Sequence, residues 1–253
     1  MQNNGWKADV LLPGSWHGAT SVLLSDRRHH VVVDTGMPHE AHAIVKALQL
    51  RGLKPTDIRT VINSHFHIDH VSNNTLFPNS EIFGSQESYD WCRAAYSDLQ
   101  DQQNWETLIL KYYPETFDYE QAEEMMGKLR KFALRWWDPK RLGDSSQFRW
   151  IEKHALPHDL ESLVTSGHVP GHASIIVHGE KQSTVIAGDA LLSRTHDERV
   201  LTMIPHHRQQ YQQDRARILA MQARILPGHD LEFSTPSSEQ QRAKEWDSQT
   251  PLL

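Results

Sequence analysis

A single cysteine, Cys92, stands among the 253 residues, so no disulfide can form within the chain and the composition fits a reducing compartment. No apolar run approaches the roughly 20 residues that span a bilayer. The opening MQNNGWKADV lacks a charged start followed by an apolar stretch, so a secretory signal is not expected. A positive excess is missing as well. The net charge is −6, which offers no general attraction to nucleic acid or anionic lipid and leaves only local basic patches. Repeats, low-complexity tracts and linkers are also absent. These absences lead to the expectation of a cytoplasmic protein without membrane attachment, folded as a single domain over residues 1–253.

Histidine, by contrast, is plentiful, with 17 in the chain. Abundance decides little, because histidines also occupy surfaces; placement decides more. Residues 6–34 read as short strands punctuated by Pro13-Gly14 and Asp26-Arg27-Arg28, ending in Asp34-Thr35-Gly36. Ile44, Val45 and Leu48 at helical spacing predict a helix over 39–50, stopped by Gly52. Residues 59–63 read as a buried strand running into SHFHIDH, with a short helix expected from Val71 and a strand at EIFG. The stretch from about 85 to 145 changes character. Trp91, Tyr96, Leu99, Trp105, Leu108, Ile109 and Tyr112 predict one amphipathic helix or a broken pair. Met125, Met126, Leu129, Phe132, Ala133 and Trp136 predict another over 119–137. This reads as a helical insertion, serving as a structural cap, a dimer surface or a substrate lid. Strands return at 162–165, 173–177, 184–187 and 224–226, with a helix over 207–221 and one more in the polar tail from Ser234.

The hexapeptide His65-Phe66-His67-Ile68-Asp69-His70 carries the most chemistry. In an extended segment His65 and His67 project to one side and can converge on one ion. Where the strand breaks into a loop, Asp69 and His70 can turn toward a second. Imidazole and carboxylate are the donors zinc prefers in such sites. A surface histidine cluster is the competing reading, and four metal-type side chains directly after an apolar strand weigh against it. Three later residues share one context: His168 follows LVTSG, Asp189 follows TVIAG and His229 follows RILPG. Strand ends that share a direction would set all three along one sheet edge. The seven candidates divide between two ions: His65, His67 and His168 for one, Asp69, His70 and His229 for the other, with Asp189 bridging.

HFHIDH matches the HxHxDH signature of the metallo-β-lactamase superfamily, and VVVDTG, SGHVPGH, AGDA and LPGHD follow in the order of its other motifs. The chain resembles that family over roughly residues 10–232, apart from the insertion. The resemblance implies an α+β fold, an αβ/βα sandwich of two mixed β-sheets with helices on the outer faces and metals in the cleft at one edge. It also implies that Asp34 orients a histidine ligand, a role compatible with a simple turn aspartate in DTG. In lactonase-like and glyoxalase II-like members the first histidine of GHxPGH is the ligand, which selects His168; His172 then supports the site by hydrogen bonding or packs in it. His17, His154, His158, His206 and His207 lack ligand spacing and read as surface residues, although His17 could reach the cleft.

Two divalent ions, with zinc the first choice and manganese, iron or cobalt compatible, would make a bridging hydroxide available at neutral pH to attack a carbonyl. Asp69 is the candidate catalytic residue that guides the proton. The expected substrate is a small molecule: a lactone, thioester or ester. Asp189 as a bridge sets the chain apart from true β-lactamases, and only 24 residues follow His229, too few for the C-terminal substrate domain of glyoxalase II. Lactonases of this family match in length and motif order but place a tyrosine shortly after the bridging aspartate, where this chain reads Asp189-Ala190-Leu191-Leu192. Tyr112, Tyr113 and Tyr211 are candidate substitutes. The alternative is a phosphodiesterase or ribonuclease that meets nucleic acid through Lys128, Arg130, Lys131, Arg135, Lys140 and Arg141, for which a solvated helix face is the simpler explanation. A non-catalytic metal scaffold and a homodimer through the insertion are the remaining expectations.

Overall fold

Strand faces alternate through the middle of the chain, and that alternation builds the fold. Val22 and Leu24, Val31 and Val33, Ile62 and Phe83 point one way and meet Leu160, Ile175, Val177, Ile186 and Leu226 from a second sheet. The residues between them, Leu23, Val32, Val61 and Ile82, point outward onto Ile44 and Leu48 of a helix. On the far side Ile176, Val185 and Ala187 do the same with Ile218. Strands buried on both faces need continuous apolar runs, which is why VVV and SIIV carry no polar alternation. The structure, a computed structural model, describes residues 5–15, 18–101, 105–112, 114–115, 119–179, 182–195 and 206–235.

The first sheet has the order β1-β2-β3-β4-β5-β6, with β1 Lys7–Leu12, β2 Ser21–Ser25, β3 His30–Val33, β4 Thr60–Ile62, β5 Glu81–Gly84 and β6 Phe148–Trp150. β1, β2 and β3 pair antiparallel, whereas β3 to β6 run parallel. The second sheet has the order β11-β10-β9-β8-β7, with β7 Leu160–Val164, β8 Ala173–Val177, β9 Ser183–Gly188, β10 Ala223–Pro227 and β11 Phe233–Ser234. α1 (Ala41–Gln49) covers the first sheet and α6 (Arg208–Leu219) the second. This is the expected sandwich of two mixed sheets with helices outside. No helix of the described residues is long and apolar enough to cross a membrane.

The segment read as an insertion comprises α3 (Gln86–Asp101), α4 (Trp105–Tyr112) and α5 (Tyr119–Trp136), so the aromatic stretch before Pro114 is a pair of helices. Cys92, Tyr96, Leu99, Leu108, Tyr112, Met126 and Ala133 share one core with Phe66, Ile68 and Val71. The insertion therefore packs directly beneath the histidine hexapeptide. Most of the cations on and after α5 are engaged locally or solvated. Lys128 pairs with Glu124 at 2.6 Å, Arg135 lies 4.6 Å from the Trp136 ring centroid, and Lys140 and Arg141 are exposed.

Several boundaries differ from the sequence reading. β4 stops at Ile62, so His65 and His67 lie beyond it rather than on an extended strand. The helix expected from Val71 begins three residues earlier, as α2 (Ile68–Val71) with His67 as its N-cap. Asp69 and His70 therefore belong to a helical turn, because the backbone must reverse sharply to bring residues four apart in sequence around one point. β6 was not anticipated: FRW is short, half-buried and has no alternation to detect. The predicted C-terminal helix lies outside the described residues.

Candidate metal centre

β9 and β10 pair parallel, and β8 runs antiparallel to both β7 and β9, so β7, β9 and β10 all point the same way. Their C-terminal ends deliver His168, Asp189 and His229 to one edge of the second sheet. β3 and β4 deliver Asp34 and the hexapeptide from the first sheet. All seven candidate ligands meet there, in two groups. His65, His67, His168 and Asp189 form the first; Asp69, His70 and His229 form the second.

The geometry within each group suits a metal. Donors bound to zinc at about 2.0–2.1 Å with tetrahedral angles stand about 3.3 Å apart. Here His168 Nε2 lies 3.2 Å from His67 Nδ1 and 3.3 Å from Asp189 Oδ2, with His65 Nε2 at 3.9 Å from that oxygen. In the second group His229 Nε2 is 3.4 Å and His70 Nε2 3.8 Å from Asp69 Oδ2. Both nitrogens lie 3.3 Å from Asp189 Oδ1. Asp189 thus turns one oxygen to each group.

Hydrogen bonds behind the rings settle which nitrogen faces the centre. Asp34 Oδ1 accepts from the Ser64 amide and Oδ2 from the Ser64 hydroxyl, each at 2.8 Å, and Oδ2 also takes the His70 Nδ1 proton at 2.8 Å. With its own proton committed, Ser64 Oγ accepts from His65 Nδ1 at 3.1 Å. His229 Nδ1 donates to the Ser15 carbonyl at 2.7 Å. Each ring keeps Nε2 free. His65 Nε2, His70 Nε2 and Asp189 Oδ1 are fully buried without a hydrogen-bond partner, as is His168 Nδ1 on the other nitrogen of its ring. Orphaned buried polar atoms are costly, and three of these converge on the same space. A divalent cation satisfies that demand, so the residues present fit one.

Electrostatics agree. Burial holds His65 and His168 well below the usual imidazole range, and His67 down at about 4, so all three are neutral donors at neutral pH. Burial would also lower His70, but Asp189, Asp34 and Asp69 outweigh it and raise that ring well above its ordinary value. His229 is pushed up to about 9 against burial, chiefly by Asp189. Burial works to raise Asp189 itself, and the neighbouring His229 and His70 bring it down instead. A cation held between these rings would offset the same carboxylates that raise His70 and His229.

The two histidines of SGHVPGH separate clearly. His168 faces the centre, whereas His172 Nε2 accepts the Asp189 backbone N–H at 3.0 Å and its Nδ1 donates to Thr165 Oγ1 at 2.8 Å. His172 therefore holds the backbone of the residue shared by both groups. Truncation to Ala leaves that buried N–H unpaired, at a cost of about 1–3 kcal/mol. The expected result is a lower denaturation midpoint at unchanged slope, with weaker retention of metal. Wild-type values for both would reduce His172 to a packing residue.

Close approach also shapes the centre. A side chain at Gly228 would collide with Asp189 Oδ1, and Gly188, just before Asp189, has φ of 52°. Sequence reasoning passed over Ser64 and Thr165, which have no motif of their own. It also placed His206 on the surface; instead that residue is half-buried, its amide donating to the His168 carbonyl at 2.9 Å and its Nδ1 to the Tyr112 carbonyl at 2.8 Å. Trp91 lies between them, 5.6 Å from His206, 5.4 Å from Tyr112 and 6.2 Å from His67 by ring centroids. His17 and Tyr113 lie outside the described residues.

Known proteins place this arrangement. Metallo-beta-lactamase domain-containing protein 1 of Mus musculus is 25% identical over 232 residues, covering 90% of this chain and 71% of its own length. An N-acyl homoserine lactonase of Bacillus cereus is 25% identical over 188 residues, 65% of this chain and 60% of the lactonase. Among solved structures, an N-acyl homoserine lactone hydrolase with N-hexanoyl-L-homoserine at its catalytic metal centre has a TM-score of 0.58 at 18% identity, covering 96% of this chain and 97% of the other. The dizinc quorum-quenching lactonase AidC has a TM-score of 0.57 at 18% identity over 90% and 85% of the two chains. Those two likenesses carry the fold. A family model for the metallo-beta-lactamase superfamily matches residues 14–229, a span that contains both groups in full. The chain belongs to the metallo-β-lactamase superfamily of metallo-hydrolases.

Proposed function

We propose that the protein is a dinuclear zinc-dependent hydrolase acting on a small carbonyl substrate: a lactone, a thioester or an ester. The observation that carries this reading is Asp189, with Oδ2 turned to His168 and Oδ1 to His70 and His229, all at 3.3 Å. His65, His67, His168 and Asp189 would hold one ion; Asp69, His70, His229 and Asp189 the other. When bound, the pair would supply an activated water and polarise the scissile carbonyl.

The chain's own residues complete the site. His67, Asp69 and His229 are half-buried, whereas His65, His70, His168 and Asp189 are buried, so substrate meets the first three on entering. Asp69, with Oδ2 3.4 Å from His229 Nε2, would guide a proton at that mouth. The half-buried Trp91 flanks His67 and would give the entrance an aromatic side suited to an apolar acyl group. Of the tyrosines considered as proton donors, Tyr113 lies outside the described residues and Tyr112 is committed elsewhere. Tyr112 donates to Asp98 Oδ2 at 2.6 Å, whereas the buried Tyr211 oxygen accepts from the Leu192 backbone and keeps its own proton.

Metal analysis followed by a substrate panel tests the reading. Two zinc ions per chain are expected, with turnover of lactones, thioesters or aryl esters and negligible cleavage of a bis-aryl phosphodiester. Phosphodiester cleavage without carbonyl hydrolysis would replace the reading with a phosphodiesterase. Two bound ions with a silent panel would favour a metal scaffold.

A further inference from the structure

The end of the sandwich opposite this centre carries another group of metal-type side chains. Asp26 and His29 occupy the turn between β2 and β3, and His158 lies just ahead of β7. β3 runs from this end to Asp34, and β7 runs from it toward His168, so a strand length separates the two places. The Asp26 carboxylate is firmly held. Its Oδ1 accepts the Arg28 and His29 amides, each at 2.6 Å. Oδ2 is left facing His29 Nδ1 at 3.0 Å and His158 Nε2 at 3.4 Å. Burial works to raise the Asp26 carboxyl, but the His29 ring and the two amides outweigh it and bring it down to about 2. Trp6 braces both rings, with centroids 6.4 Å from His29 and 5.4 Å from His158, and its indole N–H donates to the His158 carbonyl at 2.8 Å.

We infer that Asp26, His29 and His158 form a divalent transition-metal site, separate from the hydrolytic centre, whose ion clips the first sheet to the second. One donor atom from each residue lies within 4.8 Å of the others, and the two spacings to Asp26 Oδ2 bracket the roughly 3.3 Å edge of a tetrahedral zinc site. Two imidazoles and one carboxylate select a zinc-class ion over magnesium or calcium. The imidazoles are 55% and 54% exposed, so an ion reaches them from solvent and water completes the shell. The clip joins segments about 130 residues apart in sequence, the β2–β3 turn and the approach to β7.

The test compares the 253-residue chain, its main centre already saturated with zinc, with the double variant His29→Ala/His158→Ala in a calorimetric titration with Zn2+. One further ion per chain is expected for the wild type and none for the double variant. Added zinc should also raise the melting temperature of the wild type alone. Because the readout is a difference between two proteins, it holds whatever the main centre contains. Both replaced rings are exposed, and the double variant's unchanged main-centre metal content serves as the check on folding. The single variant His158→Gln should weaken the extra site at least tenfold. Equal stoichiometry and equal thermal shifts across these proteins would overturn the site.

Discussion

Asp189→Ala is expected to reduce hydrolysis by about a thousandfold or more and to leave fewer than two ions bound per chain. Asp189 is the residue common to both ligand groups, and its Oδ1 is a buried acceptor with no hydrogen bond of its own. In the proposed dinuclear centre, removing it would take a ligand from each ion and the negative charge that both would share. A dinuclear centre contributes several kcal/mol to transition-state stabilisation, and each 1.4 kcal/mol is about tenfold in rate. Asp189→Asn separates charge from shape. It keeps the volume and the backbone N–H bound to His172, so it should fold normally while losing metal and activity. The measurements are metal content after exhaustive dialysis and steady-state turnover of the best panel substrate. Two retained ions and full turnover in Asp189→Ala would remove the shared carboxylate from the account.

Asp34→Asn should weaken metal binding at the Asp69–His70–His229 group by about 10–100-fold, the range found when an outer hydrogen-bond partner of a ligand is lost. The argument concerns one proton. Asp34 accepts from His70 Nδ1 and thereby leaves Nε2 as the lone-pair donor. An asparagine that keeps its oxygen toward the Ser64 amide must present its NH2 to His70 Nδ1. That contact drives the ring proton to Nε2, where it blocks a metal. The flipped amide instead sets NH2 against the Ser64 N–H. Backbone strain does not confuse the result, because Asp34 has φ of 56° and asparagine accepts that conformation. Zinc affinity measured by chelator competition is the readout, with the ring tautomer checked by NMR. Asp34→Ala should lose both metal and stability, about 3–5 kcal/mol, since it leaves His70 and Ser64 facing an empty buried space. Wild-type zinc affinity in Asp34→Asn would show that His70 does not depend on this carboxylate.

Much of the site was legible because its residues announce themselves by type and by their position after apolar strands. His65 to His70 form one hexapeptide, and His168, Asp189 and His229 each follow a strand with a small residue between. The supporting residues were less legible. Ser64 reads as an ordinary serine, yet it passes a hydrogen-bond chain from Asp34 to His65. Thr165 reads as the end of a strand, yet it orients the histidine that holds Asp189. His206 lacks ligand spacing and is brought beside His168 and Trp91 only by the fold.

By itself the sequence determined most of the strands, the helical character of the segment from about 85 to 145 and the identity of the candidate ligands; the sandwich of two mixed sheets came from the family resemblance its motifs carry. The first three depend on local periodicity or on residue type, which a linear chain displays. Tertiary structure decided what depends on direction in space. It turned His65 and His67 into a bend beyond the strand and Asp69 and His70 into a helical turn, and it divided Asp189 between the two groups. It brought the insertion's core under Phe66 and Ile68. It also set Asp26 and His29 beside His158, more than a hundred residues away, and no spacing along the chain encodes that meeting.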